Sequence, residues 1–282
     1  MNDIKVLAVG GSRNIGYYAS LRLLNLGATV TFLLRSPSVF NDDATIKRYV
    51  NSGKARLVKG NAHVREDVER AWTEAAKVDE FSQLSCSVTS SGGPRHTYVG
   101  GTGRFTLSKG FVISPPNLVT QALLNCLETL PTPTPKIITI SSAGLTRASH
   151  KNLPLLLKPL YGYLLQVPHK DKCGAEEILA HCAGWPWEEC DSPGPEILGA
   201  NWKERVPDGG QLKSVVVIRP ALLTDGECRA DDASRNKQAY RVNEGDLSGS
   251  YMVSRKDVAH FLVEGVIKDW DTWQGKRVSI AY

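Results

Sequence analysis

The stretch Ile4-Lys5-Val6-Leu7-Ala8-Val9-Gly10-Gly11-Ser12-Arg13-Asn14-Ile15-Gly16 decides how the rest of the chain is read. The apolar run Ile4–Val9 meets a glycine turn, a helix-period segment from Tyr17 to Leu26 stops at Gly27, and a second apolar run, Ala28–Leu34, ends at Arg35. Strand, glycine turn, helix, glycine stop and strand form a βαβ unit of the kind that binds a dinucleotide. Gly10 and Gly11 let the backbone turn sharply and approach a pyrophosphate. The helix that follows offers unpaired N–H groups and the positive end of its dipole. Gly16 lets that helix lie close to the strand. Where a middle glycine is expected stands Asn14, the non-glycine residue that best tolerates a left-handed backbone. Three glycines alone are a weak signal; with both strands and the helix in place the signal is strong. Gly10, Ser12, Arg13, Asn14 and Ile15 are the expected phosphate contacts.

The end of the second strand speaks to the choice of nucleotide. An NAD site places Asp or Glu there, about twenty residues past the glycines, to hold the ribose hydroxyls. Here the place holds Arg35-Ser36, and Arg13 sits inside the turn itself. Two guanidiniums and a hydroxyl suit a 2′-phosphate, which a carboxylate would repel. NADPH is therefore the expected cofactor, against the plainer reading of Arg35 as a solvated strand-end charge.

Composition bounds the class. With 282 residues, 41% of them hydrophobic and 22% charged, the chain can bury a full core as one large α/β domain. A formal charge of +5 without a Lys/Arg block argues against a nucleic-acid face and leaves only mild steering of an anion. The six cysteines are scattered without C-x-x-C or metal spacing, which suits reduced thiols and no metal. Met1 leads straight into the first strand and no apolar run reaches the ~20 residues of a membrane span, so a cytoplasmic protein is expected.

Strands and helices alternate along the rest of the chain. A helix over Ala44–Asn51 and a strand over Ala55–Gly60 lead to Gly60-Asn61-Ala62, where Asn61 suits an adenine edge and equally a simple turn. A helix over Val64–Lys77 and a strand over Gln83–Ser90 follow, the strand ending at Ser91-Gly92-Gly93, small enough for a nucleotide to lie across. Arg95–Pro116 is glycine-rich and helix-poor, long enough to suggest a cover for the cofactor. Asn117–Leu130 is an amphipathic helix, and Ile137–Ile140 an apolar strand running into Ser141-Ser142-Ala143-Gly144. Asp171–His181 is helical, Val215–Ile218 a strand ending at Arg219-Pro220, Met252–Lys268 the last helix, and Arg277–Ala281 the closing strand. The pattern predicts an α/β, doubly wound, mainly parallel Rossmann sheet in a single domain over 1–282. Segments 145–168, 184–212 and 225–250 are its substrate-side loops or lid. In such a sheet ligands bind at the carboxyl ends of the strands, where Gly92, Ser142 and Pro220 would meet the glycine turn.

With these motifs the chain resembles the short-chain dehydrogenase/reductases, in particular their atypical, NmrA-like and biliverdin-reductase-B-like branch, including fungal members. The glycine turn resembles the superfamily's phosphate loop, and Arg35 its NADP-selecting position. Ile140-Ser141-Ser142-Ala143-Gly144 is similar to the strand carrying the catalytic serine, with Ser142 the better match. Arg219-Pro220 and Ser254-Arg255-Lys256-Asp257-Val258-Ala259 match late motifs of that branch. The resemblance implies a Tyr-x-x-x-Lys helix in which the lysine holds the nicotinamide ribose and lowers the tyrosine pKa. Lys172 fits the lysine, but four residues before it stands Pro168, which has no proton to give. His169 is the nearest substitute acid, with Tyr163 and Tyr161 from the preceding loop as others. Ser142 has two readings, an orienter of a carbonyl or simply a small residue beside the cofactor.

Tyr161, Tyr163, Trp185, Trp187 and Trp202 flank the expected pocket. They suit a lid over an apolar or aromatic small molecule, or serve only to pack that lid. The expected activity is NADPH-dependent reduction of a carbonyl, imine or enone. The rivals are an NADP(H)-binding redox sensor without turnover, which Pro168 favours, and a non-redox isomerase or cyclase using His169. The helices over Asn117–Leu130 and Asp171–His181 form a dimer face in many relatives of the family. Because Gly184–Leu212 could cover that face, a monomer or weak homodimer is expected.

Overall fold

The computed structural model describes residues 4–77, 84–89, 102–106, 110–151, 166–234 and 237–282. In chain order the elements are β1 (Lys5–Val9), α1 (Asn14–Asn25), β2 (Thr29–Leu34), α2 (Ala44–Asn51), β3 (Ala55–Lys59), α3 (Arg65–Ala76) and β4 (Leu84–Thr89). Then come β5 (Thr102–Thr106), β6 (Gly110–Ser114), α4 (Leu118–Glu128), β7 (Lys136–Ile140), α5 (Arg147–Lys151), α6 (Gln166–Ala183) and α7 (Pro195–Leu198). The C-terminal part adds β8 (Val215–Pro220), β9 (Leu222–Thr224), β10 (Arg241–Glu244), β11 (Met252–Ser254), α8 (Arg255–His260), α9 (Trp270–Trp273) and β12 (Arg277–Ala281). Between α8 and α9 a π-helical segment, Phe261–Ile267, carries the helix on.

Eight strands form one sheet in the order β3-β2-β1-β4-β7-β8-β12-β10. Every neighbouring pair is parallel except β10 with β12. The order reverses between β1 and β4, so the crevice for a ligand opens beyond the ends of these two strands. The period of two along each strand sorts side chains onto two cores. Val6, Ala8, Phe32, Ile138 and Val216 pack with Ile15, Ala19 and Leu23 of α1 and with Val258 and Leu262. Leu7, Val9, Leu33, Ile137 and Val215 pack on the other face with α3, α4 and α6. Ile15, Ala19 and Leu23 recur every four residues, which is why α1 presents one apolar stripe. Burying a side chain such as Phe32, wholly out of water, contributes about 1.5–3 kcal/mol.

The predicted α/β doubly wound sheet is present, with four local differences. The segment expected as a loop over Arg95–Pro116 contains an antiparallel ribbon, β5–β6, separate from the main sheet, and β6 lies against α6. Met252–Ser254, expected to open a helix, is instead β11, paired with β9. The helix begins only after Ser254, whose Oγ accepts the Asp257 N–H as an N-cap. The polar stretch after Thr224 carries β10, an edge strand whose polar side chains suit its exposed position. Finally, α6 is helical already at Gln166, so Pro168 falls in its first turns, where a missing N–H costs least.

The insertion over 184–212 packs onto the body. Trp202 is buried, sits edge-on to His181 at 5.3 Å and joins the core under α4 and α6, while Trp185 packs at its margin. Arg205 donates to Glu128 Oε2 at 2.7 Å and to Asn125 Oδ1 at 2.8 Å, tying the insertion to α4. The face of α4 and α6 is thus covered by the chain itself. Among the described residues no helix is long and apolar enough to cross a membrane, and no group of three His, Cys, Asp or Glu is placed to hold a metal. The described Cys126, Cys173, Cys182, Cys190 and Cys228 are free thiols.

Candidate active site

The glycine turn has the backbone its sequence requires. Gly10 has φ +81°, and Asn14, at φ +53°, is the one non-glycine with positive φ among the described residues. Asparagine therefore takes the left-handed position itself. Gly11 is required by packing: a Cβ there would stand 2.8 Å from Ala8 Cβ and 3.0 Å from the Phe32 ring. The N-cap of α1, Arg13, makes no side-chain cap, and the first turn holds no acidic residue. Helix N–H groups and dipole are thus open to an anion. Ile15 departs from the expectation as a ligand contact. Its side chain is 2% exposed and belongs to the core, so only its backbone N–H can face a phosphate. Ser12 is half-buried in the turn and Arg13 exposed.

Arg35 and Ser36 are exposed at the exit of β2, Ser36 sharing a 2.6 Å hydroxyl contact with Ser38. Beside them, at the exit of β3, Asn61 builds the turn: its Oδ1 accepts the His63 N–H at 3.2 Å, and its own N–H donates to Asp67 Oδ2 at 2.7 Å. The turn reading of Asn61 is the one with contacts behind it. His63, which the sequence reading passed over, stands here with Nε2 2.9 Å from the Leu118 carbonyl. Burial holds its imidazole below the ordinary histidine range and the charge of Arg35 adds to this, which puts the two strand exits within each other's field. Gly92 lies outside the described residues, as do Tyr161 and Tyr163.

On the other side of the switch point, Ser141 directly follows β7. Its N–H donates to the Ile218 carbonyl at 2.8 Å, its Oγ donates to Glu176 Oε1 at 2.5 Å, and its carbonyl accepts Lys172 Nζ at 3.1 Å. Glu176, one turn beyond Lys172 on α6, takes Arg219 Nε on both oxygens at 3.0 and 3.1 Å and a third contact from Nη2. The side chains of this ion pair are 1% and 7% exposed. Ser142 is half-buried, and its hydroxyl has no hydrogen-bond partner among the described residues. Pro220 closes β8, its carbonyl accepting the Ala143 N–H at 2.9 Å. Ser142, Lys172 and Pro220 are thus brought together where motif reading placed them. The Glu176–Arg219 pair is what it missed, although Glu176 lies four residues past Lys172 and so on the same helix face.

Charge states in this corner follow from burial. Burial lowers the Lys172 ammonium to about 8, against the pull of Asp171 and Glu176 and with help from Arg255. Asp171 faces away from the strand ends: its oxygens accept the Val119 and Thr120 N–H groups at 2.8 and 2.9 Å, capping α4. Burial, with Lys172 and His150 nearby, lowers His169 to about 3. This lowering argues against the role expected of His169 as the substitute acid near neutral pH. The unfolded chain takes up this proton near 6.5 and the folded chain only near 3, so stability falls as pH is lowered through that window. Thermal melts from pH 7 to 4 are expected to show a falling midpoint, with the slope flattened in His169→Gln. Parallel slopes in the two proteins would remove His169 as a contributor.

No family model matches the chain. It is similar to the reductase pytE of Aspergillus terreus, with 30% identity over 168 residues, 59% of this chain and 55% of that protein. The match thus spans just over half the length of that relative. Among solved structures, ChuY, an anaerobilin reductase from Escherichia coli O157:H7, superposes with a TM-score of 0.58 at 15% identity, over 98% of this chain and 96% of that one. The yeast methylglyoxal/isovaleraldehyde reductase Gre2, complexed with NADPH, gives a TM-score of 0.55 at 11% identity, over 98% and 77%. At such identities the likeness is one of fold, and the fold is the Rossmann fold. The motif resemblance to the atypical short-chain dehydrogenase/reductases agrees with these neighbours.

Proposed function

We propose that the chain is an oxidoreductase of the atypical short-chain dehydrogenase/reductase type that takes NADPH and reduces a carbonyl, imine or enone of a small or medium organic substrate. The observation that carries the choice of cofactor is the exit of β2, where exposed Arg35 and Ser36 stand in place of a ribose-binding carboxylate. The open N-terminus of α1 and the left-handed Asn14 fit the pyrophosphate. The cofactor, when bound, supplies a hydride; the protein must supply position and a proton.

Lys172 is the residue for both tasks. Its ammonium, anchored on the Ser141 carbonyl, suits the ribose hydroxyls of the nicotinamide half. With a pKa of about 8 it is protonated near neutral pH yet able to release the proton from Nζ to a substrate oxygen or nitrogen. Pro168 leaves no tyrosine to do so from the same helix, and neutral His169 serves as a hydrogen-bond partner only. Ser142 Oγ is free to orient the substrate's polar atom. Trp185 and Trp202 pack the insertion onto the body, which favours the packing reading for these two aromatics. The covered face of α4 and α6 supports a monomer. Pro168 also supports a second reading, an NADP(H) sensor without turnover; nucleotide binding with no substrate in a broad screen of carbonyls, imines and enones would favour it.

Calorimetry of NADPH and NADH against wild type and Arg35→Asp tests the cofactor. Charge-assisted hydrogen bonds are worth about 1.5–3 kcal/mol. Arg35→Asp is therefore expected to weaken NADPH by roughly 10–100-fold and leave NADH little changed. Equal affinities in the wild type, or a mutant that binds NADPH as before, would overturn the assignment of Arg35.

A further inference from the structure

We infer that the Glu176–Arg219 ion pair is the positioning element of Lys172, fixing where its ammonium stands through the hydroxyl and carbonyl of Ser141. The inference rests on the reading that Lys172 serves the reaction, but its geometry stands by itself. Glu176 makes no hydrogen bond to Lys172; its two oxygens take Arg219 and the Ser141 hydroxyl. Ser141 is thereby held from three sides, by the backbone of β8, by Glu176 and by Lys172, and it is 3% exposed. The residue on whose carbonyl Lys172 rests is thus fixed at its hydroxyl by Glu176 and at its N–H by β8.

A buried ion pair is not needed for stability at such a place, since apolar side chains of similar volume pack there as well or better. What an apolar pair cannot do is grip a serine hydroxyl and put a negative charge one turn from an ammonium. The charged and titratable groups around Lys172 are His169, Asp171 and Glu176 on α6, Arg255 from α8, and Arg219 behind Glu176. Asp171 is turned to the first turn of α4, Arg255 repels the ammonium, and His169 is neutral. Asp171 and Glu176 both support the ammonium, and Glu176 is the one that also holds its acceptor through the Ser141 hydroxyl.

The test reads Lys172 directly in the full chain with no nucleotide or substrate present. Lysines are methylated reductively with ¹³C-formaldehyde, the Lys172 signal is assigned by its loss in Lys172→Arg, and its midpoint is followed with pH. The paired variant Glu176→Gln/Arg219→Met leaves no buried charge alone. In it the Lys172 midpoint is expected to fall by up to roughly one pH unit, since the Glu176 charge is lost and removal of the Arg219 charge behind it offsets only part of the effect, while the other lysines stay put. An unmoved Lys172 midpoint in the folded paired variant overturns the inference. If that variant does not fold, Ser141→Ala, which removes only the hydroxyl bridge, decides: a smaller shift in the same direction upholds it and none overturns it. Failure to bind NADPH would sink the reductase reading and leave this titration untouched, so the two failures are told apart.

Discussion

Lys172→Met is expected to lower turnover by roughly 10²–10³-fold on any substrate that the NADPH-oxidation screen yields, the lower part of the range for loss of a positioned general acid. Methionine keeps the length and apolar stem, so the half-buried slot between α6 and the end of β7 stays filled. What is lost is the one described group near Ser142 that is both charged near neutral pH and able to give up a proton. Two companion measurements separate its tasks. Lys172→Arg keeps a cation on the Ser141 carbonyl but cannot deprotonate, so it should retain NADPH affinity better than methionine and recover little turnover. In the wild type the rate should decline as pH rises through about 8, because the acid form is the one that works. A methionine variant within about threefold of wild type, measured against that 10²–10³-fold scale, would shift proton donation to water or to a tyrosine of 152–165.

The doubly wound sheet was legible because its signals are local and physical. A left-handed backbone favours glycine or asparagine, so Gly10 and Asn14 betray the turn; a parallel strand buried on both faces favours a nearly continuous apolar run, so β1, β2 and β7 stand out. The hairpin β5–β6 was not legible, since glycine-rich residues without clean alternation look like loop. Strand β11 is three residues long and runs straight into α8, so its apolar Met252 and Val253 merge with the helix pattern. Strand β10 is a polar edge and carries almost no hydrophobic signal. At the site, Lys172 and Ser142 could be placed by motif. Burial could not: nothing in the residues around His169 shows that its imidazole is held neutral. Nor does sequence reveal that Glu176 and Arg219, 43 positions apart, meet, because pairing across elements leaves no period to read.

Breaking that pair on one side should be the most costly single change to the fold among those considered. In Glu176→Ala the guanidinium of Arg219, 7% exposed, keeps its burial and loses its carboxylate, and Ser141 loses its acceptor. Leaving one partner of a buried ion pair alone costs about 3–5 kcal/mol. At roughly 2–4 °C per kcal/mol for a chain of this size, a melting temperature lower by about 6–20 °C is expected. Arg219→Ala should cost a similar amount, because it leaves the carboxylate of Glu176 buried without its partner. Glu176→Gln/Arg219→Met should recover most of the loss, since it removes the charges together. That contrast is the informative part. If the single variants and the pair all melt near wild type, the guanidinium and carboxylate are solvated and the contact is incidental. If the singles fall and the pair recovers, the fold tolerates apolar packing here, and the reason for carrying two charges must lie in what they hold: Ser141, and through it the ammonium of Lys172.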